Sequence, residues 1–294
     1  MLVDRDTVAP VLYLNPVEHW RIIEALNRPA AMLGVLPELA TLRPKLNLHV
    51  FDTVASTNQS AWELVAQGAG AGTVVIARQQ TAGRGQWGRT WVSATGGLYL
   101  SLVLEPELAI AEATLLTLAS AWGIATCLQH LGLPIQLKWP NDLVYEGRKV
   151  GGILTETRVG ARRSSGEPVP CIQTAVIGIG LNWANPLPPN ATSLQQLLPD
   201  SPSEGLKGLE DLAAIALRGV LQGYHYWQYR GAAALTVAYQ EKLCNLGQIV
   251  PVEGHMGQVS GVSSTGKLTV SLDHLGQESI RCFRPGEITL SYNV

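Results

Sequence analysis

At 294 residues the chain is long enough for about two domains, each with its own core, and its 46% apolar and 15% charged residues describe a compact folded protein with little disorder. A formal charge of −2, no basic tail and a single adjacent arginine pair, Arg162-Arg163, argue against an extended nucleic-acid surface. The start, Met1-Leu-Val-Asp-Arg-Asp6, lacks the basic and apolar runs of a signal peptide, and the scattered Cys127, Cys171, Cys244 and Cys282 form no CxxC pair, so they are expected as reduced core residues of a cytoplasmic protein.

Prolines at 10, 16, 29, 37 and 44 break the first 48 residues into short pieces, leaving Val17 to Asn27 as the one helix of any length and no basic recognition face. The main domain begins near Leu48. Ser56-Thr57-Asn58-Gln59 reads as a capping box for a helix that runs through Ala66 and stops at Gly68; the same hydroxyls and amide also form a donor cluster suited to a small polar ligand. A strand at Thr73–Ala77 leads into Gly83-Arg84-Gly85-Gln86-Trp87-Gly88-Arg89-Thr90-Trp91, where glycines and two guanidinium groups let backbone and positive charge approach an anion. This loop satisfies G-x-G-x-x-G and nearly satisfies the Walker A pattern. Both demand a following helix to hold phosphates, whereas here the alternating strand Leu98-Tyr-Leu-Ser-Leu-Val-Leu104 follows. What survives is strand, loop, strand, with Arg84 and Arg89 as side-chain anion contacts or as water-facing arginines of a surface hairpin.

The apolar stretch 107–131 contains Glu112, Gln129 and His130 and reads as a buried helix, not a membrane span. After it, Pro140 forces Ile135–Tyr145 to bulge or bend at Asn141-Asp142, and a tight Glu146-Gly147-Arg148 turn makes a hairpin with Lys149–Glu156. Gly151-Gly152 inside that strand weakens it unless a ligand must come close, and the next strand, Cys171 to Leu181, ends in the similar Gly178-Ile-Gly180-Leu-Asn182. Helical segments are expected at 207–228 and 232–243. Five short runs follow, Gln248 to Val252, Gly257 to Val262, Lys267 to Leu272, Glu278 to Cys282 and Glu287 to Leu290, divided by Gly or Pro turns.

Taken together, Ser56-Thr57-Asn58, the 83–91 loop, Lys138-Trp-Pro-Asn-Asp142, Lys149-x-Gly-Gly152 and Gly178-Ile-Gly-Leu-Asn182 resemble the biotin protein ligases in order and approximate spacing over residues 48–294. The resemblance implies an α+β fold with a mixed, mainly antiparallel sheet and packed helices, like a class II synthetase, followed by an SH3-like β-barrel. The expected division is 1–47 extension, 48–244 catalytic domain and 245–294 barrel. It implies that biotin's carboxylate attacks the α-phosphorus of ATP, giving biotinyl-AMP and pyrophosphate, and that a lysine of biotin carboxyl carrier protein then takes the acyl group. Both first reactants are anions, so positive charge must be supplied.

By the same resemblance, Arg84, Arg89, Lys149 and Asp142 are catalytic, with Mg²⁺ on the phosphates and Asp142 helping to position Mg²⁺ or Lys149, or simply capping its turn. Biotin would meet Ser56, Thr57, Asn58, Gln80, Gly83, Arg84, Trp91, Lys149, Gly151 and Gly152. ATP would meet Arg84, Gln86, Arg89, Trp91, Lys138, Asn141 and Asn182. Core packing is the alternative role for Trp91. Two departures stand out: Gln86 occupies a loop position that is basic in many relatives, and residues 1–48 are too short and too weakly basic for the winged helix of the bifunctional members. A lipoate or octanoate ligase and a non-catalytic nucleotide binder are the competing readings; membrane and nucleic-acid partners are not expected, and a homodimer is left open.

Overall fold

The computed structural model describes residues 16–42, 44–162, 167–198, 205–252, 254–274 and 277–292, so the start of the chain and Arg163 lie outside the described residues. A seven-stranded sheet organises the larger part: β1 (Asn47–Val54), β2 (Thr73–Gln80), β3 (Leu98–Leu104), β4 (Gln136–Lys138), β5 (Asp142–Tyr145), β6 (Arg148–Arg162) and β7 (Val169–Leu181). Their order is β1-β2-β3-β7-β6-β5-β4. Ahead of them, α1 (Pro16–Leu26) packs on the last long helix. Only β1 and β2 pair in parallel, because the helix between them, α2 (Thr57–Ala66), carries the chain back across the sheet; hairpins and longer returns make every other pairing antiparallel. The mixed, mainly antiparallel α+β fold expected from the sequence is therefore present.

The two faces of the sheet differ by strand parity. Leu98, Leu100 and Leu102 on β3, Ile153 on β6 and Ile177, Ile179 and Leu181 on β7 join the large core with α3 (Ala113–His130). That helix is long and apolar enough to cross a membrane but is buried in the fold, which explains why its polar residues are few. Val103 and Val176 point the other way and pack with Ala61 of α2. Glycines on the second face leave that side of the sheet hollow, and the pocket forms there.

Behind the sheet, α3 crosses the last long helix at van der Waals contact of backbones. A short helical turn, α4 (Leu194–Leu197), precedes that helix, α5 (Leu209–Gln240). A Cβ on Gly123 would lie 1.9 Å from the Gly219 carbonyl oxygen, and one on Gly223 1.9 Å from that of Ala119. Helix α5 is a single run interrupted at Gly231, whose φ of 83° and ψ of 169° are non-helical, close to the break anticipated between its two segments.

The C-terminal strands β8 (Ile249–Val252), β9 (His255–Val262), β10 (Leu268–His274) and β11 (Gln277–Phe283) form an antiparallel sheet in the order β11-β10-β9-β8, compatible with a small barrel. Val250, Val252, Val259, Leu268 and Val270 face inward. The fifth expected strand, Glu287 to Leu290, does not form. Gly286 turns the chain at φ 94° and one bridge, Pro285 to Ile288, replaces a ladder. A second correction concerns the thiols: Cys127, Cys171 and Cys244 are buried, but Cys282 is exposed on a strand whose partner covers only one edge.

Candidate active site

A cavity of about 470 Å³ lies on the hollow face of the sheet, and most of the residues singled out in the sequence line it. At its closed end, Ser56, Thr57 and Asn58 are all buried at the start of α2. The capping box is not made: the Ser56 hydroxyl accepts no N–H from the first turn, and Gln59 donates to Glu63 at 3.0 Å instead. A residue 23 positions on replaces it, because the Thr57 N–H donates to Gln80 Oε1 at 2.8 Å and the Thr57 hydroxyl to the same oxygen at 3.2 Å. From there the network continues. Gln80 Nε2 donates to Ser93 Oγ at 2.7 Å, and Ser101 Oγ lies 2.8 Å from Thr57 Oγ1 and 2.6 Å from Asn58 Oδ1. Gly178 leaves room for the Asn58 amide, since a Cβ there would fall 2.2 Å from Asn58 Oδ1.

The loop between β2 and β3 folds back on itself. Arg84 bridges Thr90, the Gly85 N–H donates to the Arg89 carbonyl at 2.7 Å and the Trp91 N–H to the Gly83 carbonyl at 2.9 Å. Gly83 serves this closure, for a Cβ there would meet Trp91 O at 2.4 Å; it does not line the cavity. Arg89 is exposed, Arg84 pairs with Glu156 at 3.3 Å, and Trp87 is 65% exposed with a left-handed backbone, φ 58° and ψ 37°. Trp91 lies on Gly180, where a Cβ would sit 2.6 Å from the indole, and the Lys149 ammonium lies 5.1 Å from its ring centroid.

The third wall is the β4–β5–β6 hairpin. A cis peptide at Trp139-Pro140 makes the bend that the sequence required, and Trp139 anchors it by donating Nε1–H to the Gly266 carbonyl at 3.0 Å. Asp142 Oδ1 holds Lys149 Nζ at 2.6 Å, and Lys138 Nζ lies 3.9 Å from Oδ2. Burial holds the Lys138 amine below its ordinary range, with the Asp142 charge opposing that shift and the Lys149 charge adding to it. Among the described residues the cavity is lined by four cations, Arg84, Arg89, Lys138 and Lys149, and one carboxylate, Asp142. The arrangement is built for a polyanion.

Besides Gly83, two expected residues sit elsewhere, Gly151 and Asn182. Parity separates the paired glycines: Gly152 faces the cavity, whereas a Cβ on Gly151 would meet Leu181 at 2.4 Å in the core layer. Asn182 lies outside the cavity lining. Its amide donates to the Lys149 and Thr192 carbonyls, each at 3.3 Å, and its oxygen accepts from Asn185 at 3.2 Å. Asn141 lines the cavity while donating to the Ile153 carbonyl at 2.8 Å. Sequence reasoning missed Glu156, Ser93 and Ser101, as well as the wall made by Gly286, Ile288, Thr289, Leu290 and Tyr292. No sequence signal marks Glu156 and Ser101, because Glu156 joins the Gly152 face and Ser101 comes opposite Gly178 only through the registers of β6 and β3 against β7.

The profile of the Biotin/lipoate A/B protein ligase family matches residues 50–170. Biotin--[acetyl-CoA-carboxylase] ligase of Mycobacterium tuberculosis is 30% identical over 221 residues, covering 70% of this chain and 76% of that relative. The chain belongs to the biotin protein ligase family. Bifunctional ligase/repressor BirA of Bacillus spizizenii is 36% identical over 154 residues, which is 49% of this chain and 45% of that protein, so the chain spans about half the length of such relatives. Among solved structures, a point mutant of biotin protein ligase from Aquifex aeolicus in complex with biotin matches with a TM-score of 0.63 at 25% identity, covering 83% of this chain and 97% of that one. The same ligase in complex with biotin and ATP matches with a TM-score of 0.58 at 25% identity, covering 80% and 99%.

Proposed function

We propose that the protein is an ATP-dependent biotin–protein ligase of the cytoplasm, with catalysis in residues 48–244 and the C-terminal sheet, 245–294, closing the site. A biotin carboxylate oxygen bonds to the α-phosphorus of ATP as the α–β bridging P–O bond breaks, releasing pyrophosphate. A lysine ε-amine of biotin carboxyl carrier protein then attacks the acyl carbon of biotinyl-AMP; a C–N bond forms, AMP leaves and the amine loses its proton. The observation that carries this reading is the union, in one cavity, of a polar closed end with a cationic mouth whose single carboxylate already holds a lysine.

Each part has a chemical task. The network through Thr57, Gln80, Asn58 and Ser101, with Ser56 beside it, offers donors and acceptors to the ureido end of biotin, Gly152 gives the ligand room to lie against the sheet, and Gly180 seats the Trp91 indole. Lys149 neutralises the reacting carboxylate and the adenylate's bridging oxygen. Arg84 brings carboxylate and α-phosphate together once it leaves Glu156, and Arg89, Gln86 and Lys138 face the phosphates. Trp91 walls the intermediate, Asn141 borders the nucleotide, and Asn182 reads adenine if its loop reorganises.

Asp142 is better suited to ordering Lys149 than to ligating a metal, since Oδ1 is engaged by the lysine and Oδ2 by a tyrosine hydroxyl. No cluster of three metal-ligating side chains occurs among the described residues. Mg²⁺ belongs to the nucleotide here, held mainly by phosphate and water as Mg²⁺ commonly is. The test is mass spectrometry after incubation with Mg-ATP and, separately, biotin, lipoate, octanoate or no acid. Biotinyl-AMP with biotin alone is expected. Lipoyl- or octanoyl-AMP would reassign the closed end, and no adenylate with any acid would leave a nucleotide-binding module.

A further inference from the structure

Beyond β11 the chain turns at Gly286 and passes along the cavity mouth to Tyr292. The segment is fixed at both ends to parts of the site. The Trp87 indole lies against Gly286, where a Cβ would fall 2.7 Å from the ring. At the other end the Tyr292 hydroxyl donates to Asp142 Oδ2 at 2.5 Å, and the Lys138 ammonium lies 4.3 Å from the Tyr292 ring centroid. Burial first, and then the Asp142 charge, push the Tyr292 phenol well above its ordinary range, so it stays a donor at neutral pH.

Asp142 is consequently gripped at both oxygens, by Tyr292 on Oδ2 and Lys149 on Oδ1. Lys138 approaches the same Oδ2 at 3.9 Å but without hydrogen-bond contact. Remove the hydroxyl, and that oxygen is left to Lys138; a carboxylate turning toward Lys138 withdraws its other oxygen from Lys149. The aromatic ring is not needed for this grip, and the hydroxyl is.

We propose that Tyr292 is a positioning residue for adenylate formation, its hydroxyl setting the Asp142 carboxylate so that Lys149 is held at the reacting centre. The role rests on the ligase reading above. It predicts that the last described turn of the C-terminal segment controls chemistry in the larger domain through one hydrogen bond.

The test measures biotin-dependent pyrophosphate release by the full chain, by Tyr292→Phe, by Asp142→Asn and by the double variant. Phenylalanine keeps the ring over Lys138. Loss of a hydrogen bond to a charged group should lower kcat of Tyr292→Phe by about tenfold to a hundredfold. KM for biotin should stay within about twofold, since the closed end is untouched. In the Asp142→Asn background the same change should cost little, because the residues act as one unit. An undiminished kcat, an effect that adds in full to that of Asp142→Asn, or a faster variant, which would make the segment a plug, overturns the role. Wild-type chain that makes biotinyl-AMP while Tyr292→Phe matches it sinks this role alone; wild-type chain that makes none sinks the ligase reading and the role together.

Discussion

The two ends of the cavity are built in opposite ways. At the closed end Asn58, Ser101, Thr57 and Ser93 are buried, and with the half-buried Gln80 their side chains form one bonded chain. At the mouth, Arg89 and Trp87 stand in solvent and Arg84 is diverted to Glu156, whose side chain is also held by the Trp62 indole N–H at 2.8 Å. Preorganised dipoles need no rearrangement to receive a neutral heterocycle. Guanidinium groups packed together without their anion would repel one another, so a polyanion site is best left apart until the ligand supplies the opposite charge. On the ligase reading proposed above, the contrast assigns specificity and charge neutralisation to different ends of one pocket, one bonded before binding and one completed by it.

The severest way to break the comparison is Lys149→Ala, which removes the cation that both Asp142 and Trp91 hold in place. Adenylate formation should fall by about a hundredfold to a thousandfold, the usual loss when one charge-stabilising group is deleted, measured by single-turnover pyrophosphate release. Next, Gln80→Ala should harm the rigid end twice over. It strands the Thr57 N–H, costing about 1–3 kcal/mol of stability, and it raises KM for biotin about tenfold. Arg89→Ala is the matched control at the other end: KM for ATP should rise about tenfold, with stability within about 0.5 kcal/mol of wild type in denaturant titration. Equal stability losses for the two variants would erase the distinction.

Gln86→Arg sharpens it more gently. A third guanidinium in the loop should slow release of biotinyl-AMP about threefold to tenfold through one more charge-assisted contact, read by filter trapping of labelled intermediate; unchanged release would mean that the loop does not seal the mouth by charge. The smallest effect concerns pH. The folded pKa of Lys138 lies below its ordinary 10.5, so the folded protein gives up this proton before the unfolded chain does. Stability relative to Lys138→Met should therefore shift in favour of wild type as pH rises through the window below 10.5, and a shift of the opposite sign in melting temperature would contradict the burial seen here.

Much of this was legible from short-range pattern. Pro140 announced the bend, Glu146-Gly147 the hairpin, and the strand after the arginine loop excluded a dinucleotide fold. Pairs of glycines marked where backbone must be bare, but not which of each pair faces the ligand; only the register of β6 against β7 resolves Gly152 from Gly151. The capping box is absent while the Gln59 side chain is turned to Glu63, and a different orphan donor, the Thr57 N–H, is met by Gln80 from the neighbouring strand. Tyr292 was beyond reach for a similar reason. Its contact with Asp142 spans 150 residues and leaves no periodicity behind.

The crossing of α3 over α5 has its own consequence for the history of this sequence. At Gly123, Gly219 and Gly223 the neighbouring backbone occupies the space of a single methyl group, so the admissible alphabet there has one letter. Tyr229, 83% exposed further along the same helix, admits nearly all of them. A lineage drifting freely on its surface would still be tethered at those three points, and a randomised library selected only for folding should recover glycine at each.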